Sequence, residues 1–185
     1  MNIQALIDGD KQAFDLFYRS HARQVLDWVR RLGGRRISTE DVAHDVFAVA
    51  FRRVHTLRAD GKPIAWLYGI TRNVVNNALR RARVRTMVGL DTIAPPKSRM
   101  PDGQELAERQ QERLIVLDTL QSLQEKQREV LTLLDMDQRT APEVAEILQL
   151  PVGTVYSRLH HARKAFMTAY PKTAANWQRK QRRHG

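Results

Sequence analysis

Apolar side chains recur at three- and four-residue spacings through most of this chain, the periodicity of helices that bury one face. Leu6, Phe14, Phe17 and Tyr18 open the pattern, and Val25, Trp28, Val29 and Leu32 carry it on until Gly33-Gly34 stops the run. Ser38-Thr39-Glu40-Asp41 restarts it as a capping box, with Ser38 bonding forward and Asp41 bonding back. Val42, Val46, Phe47, Val49, Ala50 and Val54 line the helix that follows. Ala59-Asp60-Gly61-Lys62-Pro63 is a turn cluster, and a third long helix is predicted from about Ile64 to Arg85.

The pattern breaks at residues 86–110. Pro95-Pro96, Pro101 and Gly103 fall here among few large apolar residues, which predicts a flexible linker. Helical spacing returns with Leu114, Leu117, Leu120 and Leu123 and runs to about Tyr170. No strand-like alternation of useful length occurs. The tail, 171–185, has five basic residues and no acidic one, a composition that predicts disorder. The expectation is an all-α chain: a helical unit at 1–85, a linker at 86–110, a second helical unit at 111–170 and a basic tail. The two units are unlike each other, so no internal repeat is read.

The strongest local pattern is TAPEVAEILQLPVGTVYSRLHHARKAF. Thr140 and Glu143 form a second capping box, with Pro142 in the first turn, where its missing N–H does no harm. Ala141–Leu148 makes a short helix, Gln149-Leu150-Pro151 a turn, and a second helix starts near Val152. Ala145 is small where two helices must approach, and Val144, Leu148, Leu150, Val155 and Leu159 supply their shared core. This is the spacing of a helix-turn-helix, whose second helix enters the major groove of DNA. Its polar face carries Thr154, Tyr156, Ser157, Arg158, His160, His161 and Arg163, side chains able to bond base edges and phosphates. Spacing alone also fits an ordinary helical hairpin with a solvated face. Gln149 stands where a left-handed backbone is often needed, at a cost of roughly 1 kcal/mol or more to a residue other than glycine.

Charge narrows the choice. The chain has 185 residues with 31 Lys+Arg against 20 Asp+Glu, a net charge of +11, which favours a polyanionic partner, nucleic acid being the commonest. Arg72–Arg85 holds five arginines and no acidic residue, together with Asn73, Asn76 and Asn77. Phe51, Trp66 and Tyr68 lie near the turn at 59–63, where aromatic surfaces suit unstacked bases; Trp66, Leu67 and Ile70 equally fit a plain helix core. The absence of cysteine excludes disulfides, thiol catalysis and cysteine-ligated zinc. Asp41 and Asp45 share a helix face with His44 between them, but no companion ligands are in view, so a surface or partner-binding face is the reading and no metal is expected. There is no phosphate-binding glycine loop, no H-E-x-x-H and no nucleophile elbow, so no catalytic residue and no cofactor is expected. The N-terminus lacks the basic and apolar regions of a signal peptide, and no apolar run reaches bilayer-spanning length, so a cytoplasmic chain without membrane insertion is expected.

Four segments, in this order, resemble an extracytoplasmic-function sigma factor of the sigma-70 superfamily, over roughly residues 5–168. GDKQAFDLFYRSHARQVLDWVRRL resembles the start of the family's first domain, and DVAHDVFAVAFRRV its segment that grips the β′ clamp helices of RNA polymerase. PIAWLYGITRNVVNNALRR resembles its melting and −10 segment, and QREVLTLL with the helix-turn-helix resembles its −35 reader, the domain that docks on the β flap. The resemblance implies a non-catalytic factor that binds core polymerase, recognises −35 and −10 elements and helps melt promoter DNA.

By position, it puts Asp41, His44, Asp45 and Phe47 in the β′-binding helix. The family commonly has Gln-Glu or Gln-Asp where this chain has His44-Asp45. Leu57 and the loop through Lys62 become the wall of a pocket for a flipped −10 base, where relatives often place an aromatic. Asn73 and Asn77 approach the −10 strand, with Arg72, Arg80 and Arg81 on its backbone, while Trp66 remains core. Thr154, Ser157, Arg158 and Arg163 match the −35 pattern, and His160 shares their face. Tyr156 and His161 often correspond to arginines in relatives, which implies a distinct −35 preference. The family also implies an anti-sigma partner. A stand-alone helix-turn-helix regulator would need a dimerisation or ligand domain, of which the sequence gives no sign. A protein-only mimic has no use for two basic faces, and an RNA-binding helical protein fits the charge but not the motif order.

Overall fold

The computed structural model describes residues 2–89 and 104–182. Among these residues the structure is helical, with eight α-helices and no strand: α1 (Ile3–Ile7), α2 (Lys11–Gly33), α3 (Thr39–Arg53), α4 (Pro63–Met87), α5 (Gln104–Ser122), α6 (Glu125–Leu131), α7 (Ala141–Leu148) and α8 (Val152–Gln181). Short 3₁₀ turns follow α2 and α3, and a π-helical turn, Thr132–Met136, follows α6. Helices α2, α3 and α4 pack on one another as the first unit, and α5 to α8 as the second.

The elements start where local chemistry dictates. Asp10 caps α2 by accepting from Ala13 N, and Ser38 caps α3 by accepting from Asp41 N. Only this forward half of the Ser38 box forms; aspartate is one methylene shorter than the glutamate that usually reaches back. The Thr140–Glu143 box closes in both directions, and α7 begins and ends at the predicted residues. Gly34 has φ 62° and lies against the Gln121 side chain, so position 34 needs both the left-handed backbone and the missing Cβ.

Two predicted boundaries move. The linker is shorter than 86–110, because α4 runs to Met87 and α5 starts at Gln104; the proline-rich stretch 90–103 lies outside the described residues. Periodicity ends the last helix near Tyr170 and composition predicts a disordered tail, yet α8 continues through Pro171 to Gln181. Proline inside a helix costs about 3 kcal/mol. Tertiary contacts offset it: Trp177 Nε1 donates to Asp118 Oδ2 of α5 at 2.9 Å, and the Arg35 guanidinium lies 5.4 Å from the Trp177 ring centroid.

The left-handed backbone expected at Gln149 is present, with φ 53° and ψ 52°. Gln149→Gly is therefore expected to stabilise the chain by about 1 kcal/mol, read as a higher urea midpoint at unchanged slope. A lower midpoint would show that the glutamine side chain matters more than the backbone it strains.

The two units share one continuous core. Trp28 of α2 is fully buried and meets Tyr68 of α4 edge-on, with ring centroids 5.0 Å apart. Asp137, in the turn before α7, reaches into α2 and accepts from Gln24 Nε2 at 2.9 Å, from Trp28 Nε1 and from Arg31. At the C-terminus of α2, where carbonyls lack helical partners, Gln121 donates to Arg31 O and Arg128 Nη1 donates to Leu32 O at 2.6 Å.

Candidate nucleic-acid and polymerase interfaces

Helix α3 exposes Asp41, His44 and Asp45 along its outer side and turns Phe47 inward. Phe47 is 6% exposed and packs edge-on against Tyr18 at 4.6 Å, so it supports that face from below and does not present itself to a partner. The reason is spacing: Phe47 falls on the same stripe as Ala43, Val46 and Ala50, which the core claims. Asp45 lies 3.9 Å from Arg81 of α4, which brings the acidic face of α3 beside the basic face of α4.

Leu57 is likewise buried, at 4% exposure, and offers the loop at 58–62 a floor and not an open wall. Thr56 beside it accepts from Trp66 Nε1 at 3.1 Å, which fixes Trp66 as part of the packing. Along α4 the predicted residues divide. Asn73, Asn77 and Arg81 recur every four residues on an exposed stripe. Arg72 and Arg80 lie on the neighbouring side, lining a cleft of about 430 Å³ with Asn76, Arg83, Arg128 and Glu129. Of these, Arg83, Arg128 and Glu129 were not singled out by sequence. Arg83 was visible only as one of the five arginines of 72–85, and Arg128 and Glu129 only as members of the segment QREVLTLL.

Glu129 is 2% exposed and faces Arg72 of α4, Glu125 and Arg128 of α6 and Arg158 of α8. Burial raises its carboxyl to about 7 despite the Arg72 ion pair, because the desolvation of a buried charge outweighs that attraction. The unfolded chain gives up this proton near the ordinary carboxylate value, so between about pH 4.5 and 7 it holds fewer protons than the folded chain. Stability is then expected to fall as pH rises through that window and level off above it. Glu129→Gln should flatten that part of a melting-temperature profile; an unchanged profile would exclude Glu129 as its source.

The second helix of the helix-turn-helix presents Tyr156, Ser157, His160, His161 and Arg163 to solvent, with Thr154 and Arg158 half-buried. Val155, Leu159 and Ala162 hold its inner face to the core. Arg163 makes a bidentate pair with Asp135, at 2.9 and 2.6 Å, which raises its already high pKa and fixes its guanidinium. Among the described residues no group of three or more His, Cys, Asp or Glu could hold a metal ion, and no helix is long and apolar enough to cross a membrane.

An exposed basic stripe in one helical unit and a helix-turn-helix in the next define a DNA-binding transcription factor of two parts, and comparison with known proteins gives the family. The model of sigma-70 region 2 matches residues 17–85 and that of sigma-70 region 4 matches 113–166. The chain is 32% identical over 166 residues to the RNA polymerase sigma-H factor of Pseudomonas aeruginosa, covering 85% of this chain and 86% of that one. It is 31% identical over 172 residues to the ECF RNA polymerase sigma-E factor of Escherichia coli, covering 88% and 89%. The fold matches that of CnrH, solved in complex with the cytosolic domain of CnrY, with a TM-score of 0.65 at 24% identity over 90% of this chain and 92% of that one. It also matches the sigma factor RpoE of Bartonella quintana, solved with the anti-sigma factor NepR, with a TM-score of 0.63 at 21% identity over 85% and 96%. The chain belongs to the extracytoplasmic-function group of RNA polymerase sigma factors. Its function is transcription initiation, through core RNA polymerase and promoter DNA.

Proposed function

We propose that residues 1–85 bind polymerase and the −10 element and that the helix-turn-helix unit reads the −35 element, with no reaction catalysed by the chain. The observation that carries this reading is the exposed pair Asn73 and Asn77, one turn apart on α4 beside Arg80 and Arg81. Asparagine amides suit base edges and guanidinium groups suit phosphates. Asp41, His44 and Asp45 form the polymerase face, supported by Phe47. Leu57 and Lys62 border the site that receives a flipped base, whose unstacking costs a few kcal/mol. Thr154, Tyr156, Ser157, Arg158, His160, His161 and Arg163 face the −35 major groove.

Each unit alone binds weakly, and tethering on polymerase raises the effective concentration of the second once the first is placed. The chain acts in the cytoplasm, and an anti-sigma protein restrains it, as the NepR complex of the Bartonella quintana protein suggests by analogy.

Asn73→Ala is expected to slow promoter opening about tenfold while leaving affinity for core polymerase unchanged. Arg158→Ala should weaken transcription from a −35-dependent promoter by a similar factor. Permanganate footprinting and core-binding titrations separate opening from assembly. Equal loss of both for Asn73→Ala, or full activity of Arg158→Ala, would remove that residue from the interface.

A further inference from the structure

The turn that leads into the helix-turn-helix, Thr132–Met136, is π-helical, with Asp137 N donating to Thr132 O at 3.0 Å. Thr132 and Leu133 are fully buried, and Arg139 N donates to Leu133 O at 3.1 Å, so the turn is fixed within its own unit. Asp135, at the solvent side of this turn, reaches across to α8 and meets Arg163. Nε and Nη2 of the guanidinium donate to the two carboxylate oxygens at 2.9 and 2.6 Å. Both side chains keep access to solvent, Asp135 at 30% and Arg163 at 59% exposure.

The pair uses two of the five N–H groups of Arg163, one on Nε and one on Nη2. The other three, on Nη1 and Nη2, form the outer edge of the fork. Arg163 lies on the stripe of α8 that starts with Tyr156 and His160, seven and three residues earlier. Among the described residues, Tyr156, Ser157, His160 and His161 make no side-chain hydrogen bond or ion pair to another element, so Arg163 alone of this exposed face is held from outside its helix. The first turns of a recognition helix meet base edges. α8 begins at Val152, so Arg163 lies about three turns further on, where the helix leaves the groove and passes the backbone. A guanidinium already fixed in one orientation loses less freedom when it binds an anion.

We propose that Asp135 is a positioning residue for −35 recognition: its carboxylate fixes the Arg163 guanidinium so that the outer edge offers two parallel N–H groups to a phosphate beside the −35 groove. The proposal rests on the reading of α8 as the −35 helix. Charge alone predicts the opposite effect. A carboxylate near DNA repels phosphates, so removing it should tighten binding; a carboxylate that aims Arg163 should weaken binding when removed.

The test uses holoenzyme assembled from the full chain and core polymerase. The DNA is a promoter selected by the unaltered holoenzyme from random duplexes, and the same promoter with its −35 element scrambled. Scrambling releases α8, so the ratio of the two affinities counts every contact of α8, phosphate contacts included, and any unfolded fraction cancels from it. Arg163→Gln is expected to lower this ratio about tenfold, the worth of one charge-assisted contact, and Asp135→Asn about fivefold, although it removes a negative charge. Asp135→Asn should also reduce the salt dependence of the ratio by about one phosphate contact. In the Arg163→Gln background it should cause no further loss. Glu112→Gln, at an exposed acid of α5 outside both interfaces, removes the same charge and should leave the ratio unchanged or raised. A ratio for Asp135→Asn equal to or above that for Glu112→Gln, or a further loss in the Arg163→Gln background, overturns the positioning role. An unaltered holoenzyme indifferent to scrambling overturns the reading of α8 and the proposal with it.

Discussion

Trp28→Ala is expected to lower the unfolding free energy by about 3–5 kcal/mol, the range for emptying a fully buried aromatic site. Trp28 has no exposed surface, lies edge-on to Tyr68, and gives its indole N–H to Asp137. The alanine variant therefore opens a cavity in the first unit and strips a donor from the carboxylate that joins it to the second. Against a typical total of about 5–15 kcal/mol, this removes between about a fifth and all of the stability of the chain. Urea unfolding followed by circular dichroism measures the loss. Trp28→Phe keeps most of the apolar surface and removes the donor, so it should cost about 1–2 kcal/mol. A loss below about 1 kcal/mol for Trp28→Ala would mean that the site collapses around the missing ring.

Asp137→Ala is expected to cost about 3 kcal/mol, the lower end of the range for removing one partner of a buried ion pair. The Asp137 side chain is 4% exposed and Arg31 21%, so the stranded guanidinium recovers some water, while the Trp28 N–H does not. Asp137 belongs to the second unit and all three of its donors to α2, so the loss falls on the contact between units more than on either alone. Amide hydrogen exchange of α2 around Gln24–Arg31 should speed up in this variant at temperatures where both units remain helical. Equal protection of variant and parent would show that the remaining contacts hold the units without it.

Much of the fold was legible because its signals are local. Thr140, Pro142 and Glu143 act within one turn, so both ends of α7 could be read directly. Gly33-Gly34 and Ala59–Pro63 likewise mark their breaks by backbone preference alone. Phe47 and Leu57 were harder. The resemblance put both at interfaces, whereas the apolar spacing of Phe47 with Val46 and Ala50 already favoured the core, and only the tertiary structure showed that Leu57, beyond the end of α3, is buried. The tail misled for a related reason: apolar spacing ends near Tyr170 and the basic composition beyond it predicts disorder, and distant contacts of Trp177 with Asp118 and Arg35 outweigh both.

Sequence alone determined the helices, the helix-turn-helix, the basic stripe on α4 and the family, since each depends on spacing along one chain. The tertiary structure alone decided which charges meet. Glu125, Glu129 and Glu146 look in sequence like any solvated acids on amphipathic helices. They become partners of Arg72, Asn76 and Lys62 only because α6 and α7 come to lie against α4. Electrostatic pairing depends on distance through space and on the water removed between charges, and neither quantity is written in the spacing of residues along a chain.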